Sequence, residues 1–224
     1  MFDAMIDEIK STYERSVDLT LGWRFLYSPK STLKDNSAVA IIGLNPGGSS
    51  FVAPVPSVEA GNAWLTNIER WPSNNTQANF AKLFRRILKH RGIEKIDTFL
   101  NKSLTTNLVP FRTPGAKDLP TWAFDWGIGF WREHLDVFAS QRVIVAIGNG
   151  KSRSPYAGVA QVFASAGWVC TGSGELPAGW GTRIVRHKTF THASQSVTIV
   201  GIPHCSRFET RDPATIKFIA SLFL

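Results

Sequence analysis

Hydrophobic positions along the chain follow two periods, one typical of helices and one typical of strands. Apolar residues at helical spacing predict an amphipathic opening helix in FDAMIDEIKSTYERSV and a second helix in NTQANFAKLFRRILKHRG, which Gly92 is expected to cap. Short apolar runs rich in β-branched residues are typical of strands buried in a parallel sheet. Three such runs occur, and they are AVAIIGL (38–44), SLTTNLV (103–109) and RVIVAIG (142–148).

The remaining pattern completes an alternation of strands and helices. Helices are predicted over TWAFDWGIGFWREHLDVFAS and over SPYAGVAQVFASAG, which opens with Pro155. TRIVRHKTF and SVTIVGI are predicted strands, and DPATIKFIASLFL predicts a closing helix with Asp212 as its N-cap and Pro213 at its first position. This alternation predicts an α/β fold, a three-layer α/β/α sandwich with a mainly parallel central sheet, as a single domain over residues 1–224.

Four polar segments each follow a predicted strand. In open α/β sheets the ligand site lies outside the carboxyl ends of the strands, so these segments are expected to meet at one edge of the sheet. Together they supply amide, imidazole, hydroxyl and basic side chains, and none of them contains an acidic residue. The four segments are GLNPGGSS, TNLVPFRTPG, GNGKSRSP and PHCSRF.

Charge and composition narrow the choice of partners. The 224-residue chain carries a formal net charge of +8, and the excess is uneven, with 16 basic against 14 acidic residues up to Gln141 and nine against three afterwards. A basic final third favours a polyanion such as DNA, although a solvated basic surface explains the charge equally well. The sequence contains no apolar run of about 18 residues, no export signal and only two isolated cysteines, so we expect a cytoplasmic protein without membrane contact or metal.

The first strand ends abruptly in Asn45-Pro46-Gly47-Gly48. This stretch is no P-loop, because no Gly-Lys-Ser/Thr follows at the required spacing. A plain turn is one interpretation, since these are the usual turn residues. In the other, Pro46 biases Asn45 towards extended backbone and stiffens the loop, so that the amide can hold a water molecule. The amide has no titratable group with which to act as a strong base.

The ordered set of motifs resembles the uracil-DNA glycosylase superfamily. GLNPG is similar to the first motif of its mismatch-specific and single-strand-selective members, which carry Asn at this position. TTNLVPFRTPG resembles the T-N-x-x-x-x-R-P-P-G segment of bacterial and archaeal members, and VIVAIGNG resembles the third core strand. PHCSRF stands where those proteins carry H-P-S, so that the resemblance spans roughly residues 38–208.

The resemblance implies a DNA glycosylase that hydrolyses the N-glycosidic bond of uracil or a related damaged base in base excision repair. It implies that Asn45 holds the attacking water, that Asn107 pairs with the edge of an extruded pyrimidine, and that His204 donates a hydrogen bond to the leaving base. The residue types suit this chemistry, because the enzyme must mainly stabilise a departing anion with preorganised donors. An amide presents a donor and an acceptor side by side, as pairing with uracil requires.

Several residues are candidates for binding DNA phosphates. By the resemblance, Ser206 and Arg207 match positions that hold the flanking phosphates. Lys151 and Arg153 are further candidates because they precede a predicted helix, whose N-terminus attracts phosphate, although simple solvated residues explain them equally well. The same two interpretations apply to Arg112.

The sequence departs from the family at two places. Cys205 replaces the Pro of H-P-S, and the aromatic residue that stacks on the extruded base has no unambiguous counterpart. Phe51 is the nearest candidate for base binding, and Trp64 is another. The four-cysteine cluster of the iron–sulfur members is absent, so we expect neither a cofactor nor a metal. The resemblance further implies a monomer whose partner is DNA.

Two alternatives remain open at this point. The first is a catalytically silent module of the same fold that binds nucleic acid or a modified base without cleaving it. The second is an unrelated α/β enzyme acting on a nucleotide or phosphorylated small molecule, with GNGKSRS as its anion site.

Overall fold

A computed structural model describes residues 1–34, 39–64, 76–206 and 208–223 of the chain. Residues 38, 75 and 224, each at one end of a predicted strand or helix, lie outside the described residues, and so does Arg207, a candidate for phosphate binding. Within them the helices are α1 (Phe2–Arg15), α2 (Thr76–His90), α3 (Ile96–Asn101), α4 (Thr121–Glu133), α5 (Leu135–Ala139), α6 (Pro155–Ser165) and α7 (Pro213–Leu222). The strands are β1 (Val39–Gly43), β2 (Leu104–Asn107), β3 (Val143–Ile147), β4 (Val169–Pro177), β5 (Ile184–His192) and β6 (Gln195–Ile202).

The six strands form one sheet in the order β2-β1-β3-β6-β5-β4. The pairs β2–β1, β1–β3 and β3–β6 are parallel, whereas β6–β5 and β5–β4 are antiparallel. A hydrophobic core covers each face, because side chains alternate along a strand: Ala40 and Ile42 pack with α1, α4 and α6, whereas Val39 and Ile41 pack with α2, α3 and α7. The predicted three-layer α/β/α sandwich with a mainly parallel sheet is confirmed.

The predicted ends of three helices are also confirmed. Asp212 caps α7 by accepting a hydrogen bond from the Thr215 N–H at 2.8 Å, and Pro213 is its first residue. Pro155 is the first residue of α6, as predicted, and Ser154 caps this helix by accepting a hydrogen bond from the Ala157 N–H at 3.1 Å. Gly92, just after α2, has a φ of +67°, the left-handed conformation that ends many helices.

The single helix predicted over 121–140 is wrong, because the chain forms α4 and α5 with a break at His134. Aromatic packing explains the break. Trp131 stacks on Phe138 with ring centroids 4.3 Å apart, whereas residues seven apart on a straight helix are separated by about 10.5 Å along its axis. Turning the chain between them buries both rings in the same core.

The sequence pattern predicts no strand at β4, which forms the edge of the sheet. The segment contains Gly172 and Gly174 and has no buried apolar alternation, so the usual strand signal is missing. It becomes a strand by pairing with β5, and a side chain at Gly174 would collide with the His187 imidazole, which covers it. In the described ranges, no helix combines the length and apolar character that crossing a bilayer requires.

Candidate functional site

The carboxyl ends of β2, β1, β3 and β6 lie at one edge of the sheet. Gly43 at the end of β1 is in register with Asn107 at the end of β2, and Ile147 at the end of β3 is in register with Ile202 at the end of β6. The four polar segments therefore leave the sheet side by side. Neighbouring strands lie about 4.8 Å apart, so the outer pair, β2 and β6, are separated by roughly 14 Å.

The Asn45 amide is held by the segment that follows β2. Its Nδ2 donates to Thr113 Oγ1 at 2.7 Å, to the Pro46 carbonyl at 3.2 Å and to the Phe111 carbonyl at 3.3 Å. Three oxygen acceptors around one atom identify that atom as the nitrogen. The amide nitrogen is thus turned towards the protein, and Oδ1 is the atom of this amide that can accept a hydrogen bond.

Asn107 is buried, with 4% of its surface exposed. Its Nδ2 donates to the Tyr27 hydroxyl at 3.3 Å, and its Oδ1 lies so close to Gly43 that a side chain there would overlap it. Glycine at the end of β1 therefore makes room for the Asn107 amide. The predicted base-reading residue sits against the Asn45 loop, but its amide nitrogen is engaged with Tyr27.

Tyr27 and Arg24 belong to the site, and the sequence analysis missed them. The Arg24 guanidinium lies 4.3 Å from the centroid of the Tyr27 ring, and Trp64 packs edge-on against that ring at 6.0 Å. Burial raises the pKa of the Tyr27 hydroxyl, which stays protonated. In the sequence the two residues belong to WRFLY, an apolar segment in which Trp23, Phe25 and Leu26 are buried.

His204 is exposed in the loop after β6, and Ser206 orients its ring. Ser206 Oγ lies 2.7 Å from His204 Nδ1, and the Ser206 backbone N–H donates to the same nitrogen at 3.3 Å. A ring nitrogen that accepts from a backbone N–H carries no proton, so the neutral ring carries its proton on Nε2. Nε2 is therefore the nitrogen of the neutral ring that can donate a hydrogen bond.

The loop that carries His204 is anchored despite Cys205 in place of proline. The Cys205 side chain is buried at 1% exposure, and its carbonyl accepts from the Asn79 amide at 2.7 Å. Burial, together with the nearby negative charge of Glu209, raises the pKa of the Cys205 thiol to about 12. The thiol thus stays neutral and acts as a small core side chain.

The two basic residues after β3, Lys151 and Arg153, differ in their contacts with the rest of the protein. Lys151 and Arg153 are both exposed, but an Arg153 Nη2 hydrogen bond to the Leu119 carbonyl ties that side chain to another loop. At the N-terminus of α6, Ser154 Oγ already occupies the Ala157 N–H. Fewer hydrogen-bond donors of this segment are therefore available to an anion than the sequence GNGKSRS suggests. Arg207, the other basic candidate, lies outside the described residues.

The two aromatic candidates occupy opposite environments. Phe51 is 63% exposed in the loop after β1 and makes no ring contact within the described residues. Trp64 is 5% exposed and packs edge-on against Phe80 at 4.8 Å. Trp64 is therefore part of the core beneath Tyr27, whereas Phe51 is placed at the surface.

A cavity of about 670 Å³ lies beside the carboxyl edge, between α6 and the β4–β5 hairpin. Of the predicted site residues it includes only Lys151. Arg186 lines it, pairs with Glu175 at 3.0 Å and donates to the Asn149 carbonyl at 2.6 Å. This cavity is distinct from the group formed by Asn45, Asn107 and Tyr27.

Comparison with known proteins adds no relative at this point: no protein-family model matches the sequence, and no curated protein matches it.

Proposed function

We propose that the chain is a DNA glycosylase that hydrolyses the N-glycosidic bond of uracil or a related damaged base. The observation that carries the proposal is the common sheet edge at which Asn107 ends β2 while Asn45 and His204 follow β1 and β6. β2 and β6 are separated by roughly 14 Å, so Asn107 and His204 stand on the two sides of the position proposed for an extruded nucleotide.

In the proposed reaction a water molecule adds to C1′ of the sugar while the bond from C1′ to the base nitrogen breaks. The electron pair of that bond leaves with the base, and His204 Nε2–H donates a hydrogen bond to the base oxygen on which the negative charge develops. Asn45 Oδ1 accepts a hydrogen bond from the water and fixes its position. The water loses a proton as it adds and the departing base anion takes up one proton, so that the products are the neutral free base and an abasic sugar with a hydroxyl on C1′.

The test is an excision assay on oligonucleotides that contain a single uracil, in single-stranded and double-stranded form. Base release is expected, and alkaline cleavage of the resulting abasic site measures it on a gel. Matched oligonucleotides with cytosine at the same position serve as controls. If neither uracil nor a deaminated purine is released at high protein concentration, the proposal is wrong.

Replacing Thr113 by valine is expected to slow excision about tenfold. Thr113 Oγ1 accepts from Asn45 Nδ2 at 2.7 Å and donates to the Gly115 carbonyl at 2.9 Å, and valine keeps the shape but removes both bonds. One hydrogen bond of about 1 kcal/mol then no longer orients the amide. Single-turnover rates measure the effect, and Thr113→Ser, which keeps the hydroxyl, is expected to stay near wild type. Equal rates for Val and Ser would separate Thr113 from catalysis.

The alternative function is nucleic-acid binding without cleavage at the same edge. It is favoured by the orientation of Asn107, whose Nδ2 donates to Tyr27 and not to an open pocket. Binding would then be salt-sensitive and unchanged in Asn45→Ala. The excision assay separates the two functions, because only the glycosylase produces abasic sites.

A further inference from the structure

Two arginines, Arg24 and Arg112, lie on the same side of a short antiparallel pairing next to Asn107. Trp23 pairs with Phe111, the Arg24 N–H donates to the Pro110 carbonyl, and the Arg112 N–H donates to the Gly22 carbonyl. Because side chains alternate in extended chains, the buried Trp23 and Phe111 point one way and the two arginines point the other. Gly22 lies opposite Arg112, and the Val52 carbonyl fills the place that a side chain at Gly22 would take.

Neither arginine has the partner that a partly buried guanidinium normally needs. Within the described residues neither forms an ion pair with a carboxylate, and the Nε of each is buried without a hydrogen-bond partner. Arg24 rests on the Tyr27 ring, and Arg112 donates from Nη1 to the Gly47 carbonyl. These contacts leave most of the ten N–H groups of the pair unused.

Holding two partly buried guanidinium groups near each other destabilises the folded protein when no anion is bound. Burial lowers the pKa of Arg24, Tyr27 acts in the opposite direction, and the like charge of Arg112 lowers the pKa further. The contacts of Arg24 with Tyr27 and of Arg112 with the Gly47 carbonyl do not remove the repulsion between the two guanidinium groups. An oxyanion placed between the two forks removes the repulsion and satisfies several donors at once.

We propose that Arg24 and Arg112 bind one phosphate group, the phosphodiester of a nucleic-acid strand next to the nucleotide that enters at Asn107. The contacts support the adjacency: Arg24 covers the Tyr27 ring, and the Tyr27 hydroxyl meets Asn107. Arg112 holds the Gly47 carbonyl in the loop of Asn45, so a phosphate bound there also bears on that loop. This deepens the proposed function and rests on it only for the source of the phosphate.

The experiment compares wild-type protein with Arg24→Gln, Arg112→Gln and the double variant, using a short single-stranded oligonucleotide without uracil. Each single change is expected to weaken binding about 10- to 100-fold, as the loss of a charged hydrogen-bonded contact does. The double variant is expected to reduce the slope of log affinity against log salt by about 0.7, the value for one phosphate on a single strand, and each single variant by no more than this. Arg142→Gln is the matched control, since Arg142 is exposed just before β3, at the opposite edge of the sheet.

A second arm uses inorganic phosphate alone. Phosphate at the ionic strength of a chloride control is expected to raise the Tm of wild type but not of the double variant. If phosphate acts in this way but the oligonucleotide slopes do not change, the ligand is a free phosphorylated molecule and the assignment to a strand is overturned. If the double variant matches Arg142→Gln in both arms, the whole inference is overturned.

Two safeguards keep the result interpretable. Far-ultraviolet circular dichroism checks folding, and Arg24→Lys, which keeps the charge but loses the planar fork, replaces Arg24→Gln if that variant unfolds. All of these measurements report binding and not excision. If the protein binds through the two arginines but releases no base, the proposed glycosylase activity is wrong and the proposed phosphate site is still supported.

Discussion

Replacement of His204 by alanine is expected to slow base release about 100- to 1000-fold, the usual loss when one donor to a developing anion is removed. His204 Nδ1 accepts from the Ser206 backbone, which directs the remaining proton to Nε2. Because this donor acts on charge that develops only as the bond breaks, affinity for the uracil oligonucleotide is expected to change little. Single-turnover rates and binding titrations with the same oligonucleotide measure the two quantities.

Ser206 supplies the control for this variant. Ser206→Ala removes the hydroxyl that lies 2.7 Å from Nδ1 but keeps the backbone N–H, so we expect a loss of about tenfold, as for one orienting hydrogen bond. Ser206→Thr keeps the hydroxyl and is expected to behave as wild type. An excision rate near wild type in His204→Ala would remove the imidazole from the proposed mechanism.

The sequence was sufficient for the architecture because the core strands are strongly patterned. β1 and β3 are short, apolar and buried on both faces, so their positions and the carboxyl edge follow from the sequence alone. The caps of α6 and α7 were equally predictable, since Ser154 and Asp212 act through N–H groups three residues away. Local chemistry of this kind depends on neighbours in the chain.

The details of the site depend on contacts that no local pattern records. The bond from Asn107 to Tyr27 joins residues 80 apart, and the bond from Asn45 to Thr113 joins residues 68 apart. Arg24 and Tyr27 were missed because residues 22–27 do not form one of the six strands of the sheet. They join the fold through single pairs of hydrogen-bonded residues. A segment whose backbone is fixed by distant partners carries a weak strand signal.

The same reason explains the other departures from the predicted fold. β4 is a strand because β5 supplies its partners, and its own glycines oppose that structure. The helix broken at His134 ends where Trp131 and Phe138 gain a stacked contact across the break. In both places tertiary packing outweighs local propensity.

A single added methyl group at Gly43 is expected to reduce excision more than 100-fold. A Cβ at this position would overlap Asn107 Oδ1, so either the amide must rotate or β1 and β2 must separate. A shift of about 1 Å in a positioning group is enough for a loss of this size. Gly43→Ala is measured by the single-turnover assay, with a thermal melt to record any loss of stability.

Two further variants identify the cause of that loss. Gly47→Ala is the matched control, because the added Cβ would meet no atom within 4 Å and Gly47 lies in the loop that directly follows β1. In the double variant Gly43→Ala with Asn107→Ala the collision is relieved, so stability is expected to recover relative to Gly43→Ala while excision stays low. That non-additive pattern is the signature of two side chains in direct contact. Normal excision by Gly43→Ala would mean that the position of the Asn107 amide has no part in recognising the base.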